Sequence, residues 1–159
     1  MENYMKLEIK AIGENESFAR SAVAAFALSL TPSLAELSDI KTAVSEAVTN
    51  CVVHAYKNTG EGTVLIECQT KKESFGGVLH IRISDHGCGI ENVEQALAPF
   101  FTTLAGEERS GMGFTIMQTF MNGFSVQSEK DKGTVVEMTK KIGLLETSEV
   151  NGIRERVDA

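Results

Sequence analysis

The feature that most constrains the fold is an apolar stripe at helical spacing in residues 38–56. Residues three and four positions apart share one face of a helix, and here that face comprises Ile40, Ala43, Val44, Ala47, Val48, Cys51 and Val52. A helix with one apolar face must bury it against another element. Two strand-like runs follow, at residues 63–70 and 78–84, joined by a charged segment that ends in two glycines. We therefore predict a helix packed on a sheet.

The remaining segments complete an α+β pattern. Alternating residues predict a strand at 6–12, and polar residues 14–17 predict side-chain capping of a helix that runs from about Ser17 to Leu30. Further predicted elements are a short helix at 92–97, a helix at 113–121, and strands at 124–128 and 134–138. We predict an α+β two-layer sandwich, with helices on one face of a mixed, mostly antiparallel sheet. One domain is expected over residues 1–145, followed by a polar, poorly ordered tail at 146–159.

Composition restricts the classes of partner. The formal net charge of -7 argues against nonspecific binding to nucleic acid or anionic membranes, whose phosphates repel acidic surfaces. The three cysteines contain no C-x-x-C pair, which argues against a disulfide framework and a structural zinc site. The chain shows neither an apolar leader nor a run of about 18 apolar residues, so we expect a cytoplasmic location. A protein or small-molecule partner is favoured.

Three polar residues follow one edge of the helix predicted at residues 38–56. Glu46, Asn50 and His54 are spaced four residues apart and therefore lie along one stripe beside the apolar face. A carboxylate there is a candidate general base, and an amide oxygen one turn away is a suitable ligand for Mg²⁺. The alternative is a solvated helix edge, with His54 in a packing or hydrogen-bonding role.

Asp85 ends the apolar strand at residues 78–84, and glycines follow it at alternate positions, Gly87 and Gly89. A carboxylate at the end of a strand can accept a hydrogen bond from an exocyclic amine such as that of adenine. Glycines allow the backbone to approach a flat ring closely. The alternative is a turn that merely ends the strand.

A glycine-rich segment, Ser110-Gly111-Met112-Gly113, precedes the helix predicted at residues 113–121. The start of a helix presents unpaired N–H groups and positive dipole to phosphate oxygens, and Arg109 adds a cation beside them. The alternative is a flexible loop end. In order along the chain, these segments could supply a base, a metal ligand, an adenine contact and a phosphate site.

Together these segments resemble the GHKL superfamily of ATPases. Four segments are similar to its conserved boxes, in the family's order: Glu46 to Asn50, Asp85 to Ile90, Arg109 to Phe114, and Gly133-Thr134. Residues 99–103 resemble the segment before the family's ATP lid, and Ala55 stands where a glycine is usual. Within the superfamily, the chain is most similar to the anti-sigma-factor serine kinases of endospore formation, over roughly residues 4–142.

The resemblance implies specific roles. It implies that the protein sequesters a sporulation sigma factor and uses ATP and Mg²⁺ to phosphorylate a serine of an anti-anti-sigma protein. Glu46 would be the base, Asn50 the Mg²⁺ ligand and Asp85 the adenine contact. The other residues implied to bind the nucleotide are Gly87, Gly89, Thr103, Arg109, Ser110, Gly111, Met112, Gly113 and Thr134.

Partner binding has two further expectations. Arg20 is a candidate anchor for a partner, because arginine forms planar, bidentate contacts and is enriched at interface hot spots. The alternative is that its helix, rich in small residues, simply lies buried against the sheet. The family likeness also implies a homodimer. Two alternatives remain open: a nucleotide-gated module that binds the sigma factor with negligible kinase turnover, and a stress-response anti-sigma kinase.

Overall fold

The computed structural model describes residues 2–98 and 112–143. Its strands are β1 (Glu2–Lys10), β2 (Thr63–Lys72), β3 (Gly77–Asp85), β4 (Gly123–Glu129) and β5 (Gly133–Ile142). Its helices are α1 (Glu14–Ala27), α2 (Leu34–Asn50), α3 (Val93–Leu97) and α4 (Gly113–Phe120). A short 3₁₀ turn, Leu28–Leu30, follows α1, and a π-helical turn, Cys51–Ala55, continues α2.

The five strands form one sheet in the order β1-β2-β3-β5-β4. Every pairing among the described strands is antiparallel. The predicted α+β sandwich is confirmed, but the sheet is not mixed. Strands β3 and β4 run in the same direction, but β5 lies between them. They therefore do not pair with each other as parallel strands.

One face of the sheet carries the core. In β3, Leu79, Ile81 and Ile83 are buried while His80 and Arg82 are exposed, which is the period of two expected for a strand with one covered face. The apolar stripe of α2 lies against this face, and its residues Ile40, Val44 and Val48 are fully buried. Burying side chains of this size contributes roughly 1.5–3 kcal/mol each. This packing fixes the position of α2 above the sheet.

Helix α2 begins four residues earlier than the predicted start at residue 38. Ser33 accepts a hydrogen bond from the Glu36 N–H, and the Glu36 carboxylate accepts one from the Ser33 N–H, which forms a capping box. The apolar pattern begins only at Ile40, so periodicity alone set the predicted start too late. The predicted break at residues 31–32 is confirmed, since Thr31 has a left-handed backbone with φ 53°.

The predicted cap of α1 is wrong. The helix begins at Glu14 after Gly13, which provides no side-chain hydrogen bond to it. Ser17 therefore lies within the helix, and the Asn15 side chain donates instead to the Lys10 carbonyl. The carbonyls of Ile12 and Gly13 accept the N–H groups of Asn15 and Glu16, so the backbone itself forms this first turn.

A buried lysine fixes the far end of α4. The Lys140 ammonium lies 2.9 Å from an Asp39 carboxylate oxygen and donates to the Phe120 carbonyl at 2.7 Å. Phe120 is the last residue of α4, where a cation is favoured by the helix dipole. Lys140 thereby joins α4 to α2 and β5.

No helix among residues 2–98 and 112–143 is long and apolar enough to cross a membrane. The predicted tail, residues 146–159, lies outside the described residues.

Candidate nucleotide site

A cavity of about 1130 Å³ opens between α2, the end of β3, α3, the start of α4 and the β4–β5 turn. This volume suits a ligand larger than most drug-sized molecules. Several predicted site residues from distant parts of the chain line the cavity: Glu46, Asn50, Asp85, Gly89, Met112, Gly113 and Thr134. The structure therefore brings together the residues that sequence analysis had placed in separate motifs.

Asp85 is the most buried acidic group of the cavity, with 5% of its surface exposed. It continues the alternation of β3, so its side chain lies on the covered face of the sheet, below α2. The Gly87 N–H donates to Oδ1 at 2.9 Å, and the Cys51 thiol donates to Oδ2 at 3.5 Å. Burial raises the pKa of Asp85, although these hydrogen bonds act in the opposite direction.

The partners of Asp85 indicate what it can bind. Among the described residues, no lysine or arginine forms an ion pair with this carboxylate. Its neighbours are neutral hydrogen-bond donors, and it faces a cavity. A neutral amine, such as the exocyclic amine of adenine, fits such an acceptor without adding a buried positive charge.

The loop after Asp85 is held by the β4–β5 turn. The Asp131 N–H donates to the Cys88 carbonyl at 2.7 Å, and the Ile90 N–H donates to the Ser128 hydroxyl at 2.7 Å. Gly89 has φ 68°, and a Cβ there would lie 1.9 Å from the Glu129 carbonyl oxygen. Only glycine fits at this position, because any side chain would collide with the backbone of the turn.

The same loop is held on its other side by the end of the π-helical turn. The Cys88 N–H donates to the Ala55 carbonyl at 3.0 Å. A Cβ on Gly87 would lie 2.5 Å from the Ala55 Cβ. The two segments can therefore pack closely with alanine at position 55, because residue 87 has no side chain. Gly87 thus contributes by close packing and by its N–H bond to Asp85.

Glu46 and Asn50 lie at the opposite side of the cavity, against the start of α4. A Cβ on Gly113 would stand 3.3 Å from a Glu46 carboxylate oxygen and 3.3 Å from each terminal atom of the Asn50 amide. Helix α4 begins after Met112, whose side chain makes no capping hydrogen bond. The start of a helix favours an anion through its N–H groups and its dipole, and here it lies next to an acidic and an amide side chain. This end of the cavity suits phosphate groups and a metal ion.

Comparison with known proteins identifies the family. The histidine kinase-like ATPase domain family matches residues 11–140. An anti-sigma F factor of Clostridium botulinum (strain Eklund 17B / Type B) is 50% identical over 144 residues, which cover 91% of this chain and 98% of that protein. The anti-sigma F factor of Thermoanaerobacter sp. (strain X514) is 52% identical over 141 residues, covering 89% and 95%. The chain belongs to the anti-sigma F factor family, within the histidine kinase-like ATPase domains.

Two solved structures share the fold of this anti-sigma F family member. The RsbU and RsbW domains of Rv1364c from Mycobacterium tuberculosis align with a TM-score of 0.59 and 14% identity, covering 90% of this chain and 33% of that one. The mycobacterial sensor histidine kinase MprB aligns with a TM-score of 0.50 and 19% identity, covering 69% and 74%. The resemblance based on the four boxes is therefore confirmed. Membership in an ATPase-domain family supports ATP as the ligand of the cavity and supports kinase activity.

The described residues fit an ATP–Mg²⁺ complex better than a metal ion alone. No group of three or more His, Cys, Asp or Glu residues in the described part of the chain could hold a metal. A cation such as Mg²⁺ needs few protein ligands when phosphates and waters complete its octahedron. Asn50 offers one amide oxygen beside the start of α4, which is the donor that such a shared site requires.

Several predicted site residues lie outside the described part of the chain: Thr103, Arg109, Ser110 and Gly111. Their roles stay predictions. His54, the third residue of the polar stripe, lines the cavity from the π-helical turn. Thr134, near the start of β5, also lines the cavity, and its hydroxyl lies 2.8 Å from that of Ser128.

Other residues of the cavity wall were not predicted as site residues from the sequence. Cys51 was predicted as part of the apolar face of the helix at 38–56, and its thiol also contacts Asp85. Lys130 and Asp131, in the β4–β5 turn, also line the cavity. Lys130 lies 3.5 Å from the carboxylate of Glu91 across the loop. No local pattern marks these residues, because they reach the cavity only through the pairing of β4 with β5.

Arg20 does not line the described cavity but lies close to one of its walls. Its guanidinium is 3.6 Å from the Glu16 carboxylate and 3.4 Å from the Ser45 hydroxyl, and Ser45 directly precedes Glu46. The Thr49 hydroxyl also donates to Glu16 at 2.5 Å. A surface that contains Arg20 therefore adjoins the helix that carries Glu46 and Asn50.

Proposed function

We propose that the protein is an anti-sigma factor that sequesters a sporulation sigma factor and is also an ATP-dependent protein serine kinase. Its phosphoacceptor would be a serine of an anti-anti-sigma protein, which phosphorylation inactivates. One observation carries the proposal: Glu46 and Asn50 lie against the start of α4, at one side of a cavity that also contains the buried Asp85. The relatives named anti-sigma F factor support it over most of the chain.

In this proposal each end of the cavity binds one end of ATP. The Asp85 carboxylate accepts a hydrogen bond from the adenine amine, and the start of α4 binds the phosphates. Asn50 would hold Mg²⁺, which would neutralise charge on the phosphate oxygens. The predicted roles of Thr103, Arg109, Ser110 and Gly111, outside the described residues, belong to the same proposal.

Phosphoryl transfer needs little covalent chemistry from the protein. The serine oxygen attacks the γ-phosphorus, the bond from that phosphorus to the bridging oxygen breaks, and ADP leaves. Glu46 is placed to orient the serine hydroxyl and accept its proton, since its carboxylate lies beside the α4 start. Positioning of the two reactants accounts for most of the acceleration.

The partner surfaces complete the proposal. Arg20, half-buried beside α2, would anchor a protein partner close to the kinase site. A homodimer is proposed with it from the family likeness, and a cytoplasmic location because sigma factors act on RNA polymerase there. The chain would function as one domain over residues 1–145.

The test is phosphate transfer from ATP to a purified anti-anti-sigma protein, followed by identification of the modified residue. Glu46→Gln should lower the transfer rate by about 10²–10⁴-fold with ATP affinity retained, the range typical for loss of a general base. Glu8→Gln is the matched control, because Glu8 is an exposed carboxylate on β1. Full activity in Glu46→Gln would exclude it as the base.

The same experiment separates the alternatives. If ATP strengthens sigma-factor binding but ADP never forms with any acceptor, the protein is a nucleotide-gated binding module. If transfer occurs but a stress-response sigma factor binds in place of the sporulation one, the protein is a stress-response anti-sigma kinase. Co-purification in ATP and then in ADP distinguishes these results.

A further inference from the structure

Tyr56 connects three segments near the adenine end of the cavity. It directly follows the π-helical turn, and its hydroxyl accepts a hydrogen bond from the His86 N–H at 2.8 Å. The same hydroxyl donates to the Thr63 carbonyl at 2.7 Å, at the start of β2. One oxygen atom thus joins the end of α2, the start of β2 and the loop after Asp85.

The peptide that Tyr56 holds is the one that follows Asp85. The His86 N–H and the Asp85 carbonyl belong to a single planar unit, so the orientation of this N–H sets the backbone angle at Asp85. That angle in turn sets the direction in which the chain continues from β3 into the loop. No other hydrogen bond to the His86 N–H is present among the described residues.

The ring of Tyr56 packs in one position against Gly62. Gly62 has φ 99°, and a Cβ at that position would lie 2.4 Å from the ring. The π-helical turn fixes the backbone of Tyr56, because the Tyr56 N–H donates to the Cys51 carbonyl at 3.0 Å. Burial raises the pKa of the Tyr56 hydroxyl, so it stays protonated and able to donate at neutral pH.

Asp85 needs such support. It is a buried carboxylate whose pKa is raised by burial, so rotation of the loop toward solvent would relieve its desolvation. Holding the acceptor in place before the nucleotide arrives reduces the cost of ordering on binding.

We propose that Tyr56 is a positioning residue for adenine recognition: its hydroxyl holds the Asp85–His86 peptide so that the Asp85 carboxylate faces the exocyclic amine. This inference rests on the proposed function, in which Asp85 binds adenine. Tyr56 itself does not touch the nucleotide in this arrangement. Its effect on binding should therefore be selective for a ligand that carries the amine.

The experiment measures dissociation constants by calorimetry for ATP and for purine riboside triphosphate, which lacks the exocyclic amine. Tyr56→Phe should weaken ATP binding by roughly 5- to 20-fold, the scale of one misplaced hydrogen bond, and change the affinity for purine riboside triphosphate by less than about 2-fold. Tyr4→Phe is the matched control, because Tyr4 is the only other tyrosine and is exposed on β1. It should bind both nucleotides like the wild type.

A second variant guards against a failure of Tyr56→Phe to fold. Gly62→Ala keeps the hydroxyl but displaces the ring, and should show the same selective loss of ATP affinity. Equal losses for both nucleotides, or unchanged ATP binding in folded Tyr56→Phe, would overturn the inference. If the wild type binds no ATP, the proposed function itself fails. If it binds both nucleotides equally, the adenine role of Asp85 fails.

Discussion

The Cys51 thiol donates a hydrogen bond to the Asp85 carboxylate, with Sγ 3.5 Å from Oδ2. Burial and the nearby Asp85 charge raise the pKa of this thiol well above its usual value, so it remains protonated. The buried carboxylate is therefore surrounded by neutral donors and lacks a described cationic partner. This arrangement favours ligand binding over stability of the unliganded protein.

Asp85→Asn should stabilise the unliganded protein at neutral pH. Because burial raises the pKa of Asp85, the folded state binds a proton more readily than the unfolded state, and the charged form costs stability as pH rises. The neutral amide removes this cost, and we expect the melting temperature to rise by roughly 1–3 °C at pH 7. Below the ordinary carboxyl pKa the aspartate is protonated in both states, so the gain should vanish there. Scanning calorimetry from pH 7 to about pH 3 checks this, and a gain that grows in acid would contradict it.

The same substitution should abolish most ATP binding. The amide presents an N–H group where the carboxylate presents a second acceptor, so the adenine amine loses a charge-assisted hydrogen bond. We expect at least about 10- to 100-fold weaker binding, from roughly 1.5–3 kcal/mol for such a bond. Calorimetric titration with ATP provides the measurement, and circular dichroism verifies the fold. Unchanged affinity would show that Asp85 does not contact the base.

Asn50→Ala should remove the effect of Mg²⁺ on ATP binding. Asn50 offers the oxygen next to the α4 start, so the variant in Mg²⁺ should bind ATP about as weakly as the wild type does in a chelator. A difference of about 10-fold corresponds to roughly 1.4 kcal/mol. Asn3→Ala, on exposed β1, is the matched control. A variant that still responds fully to Mg²⁺ would exclude Asn50 as the ligand.

Gly113→Ala should slow phosphate transfer without destabilising the protein. The methyl group would stand 3.3 Å from Glu46 and Asn50, so both side chains would have to shift. Alanine favours helix over glycine by up to about 1 kcal/mol, so stability should be kept or improved. We expect a transfer rate lower by about 10-fold, or ~1.4 kcal/mol. Gly13→Ala, where a Cβ meets nothing within 4 Å, should leave the rate unchanged. Equal rates in the two variants would disprove the close approach.

Arg20→Ala should weaken binding of the protein partner and leave ATP affinity intact. If Arg20 is an interface hot spot worth about 2 kcal/mol, sigma-factor affinity should fall by roughly 30-fold. Arg82→Ala is the matched control, since Arg82 is also an arginine paired with carboxylates, on the open face of the sheet. Surface plasmon resonance with the sigma factor separates the two. Comparable losses in both variants would assign the effect to net charge.

Much of the fold follows from local patterns. Strand β3 was predicted at residues 78–84 and spans Gly77–Asp85, because alternation is strong where one face is buried. Helix α4 was predicted at 113–121 and spans Gly113–Phe120. The start of α2 was wrong because a capping box sets it, upstream of the first apolar residue.

The candidate site was predictable as separate pieces. Glu46, Asn50 and Asp85 carry side chains whose chemistry suits a base, a metal ligand and an amine acceptor, and each lies in a recognisable motif. Tyr56 and Lys130 carry no such mark. Their roles depend on what stands opposite them, and the partners of Tyr56 are the His86 N–H and the Thr63 carbonyl.

The sequence by itself determined which segments form helices and strands, which family the chain resembles, and that Asp85 follows an alternating apolar strand. Only the tertiary structure decided that Asp85 lies under the end of α2, in contact with Cys51 at a separation of 34 residues. The physical reason is that periodicity acts within one element. The antiparallel register of β3 with β2 and β5, and the packing of α2 on that sheet, arise from burial shared among distant segments.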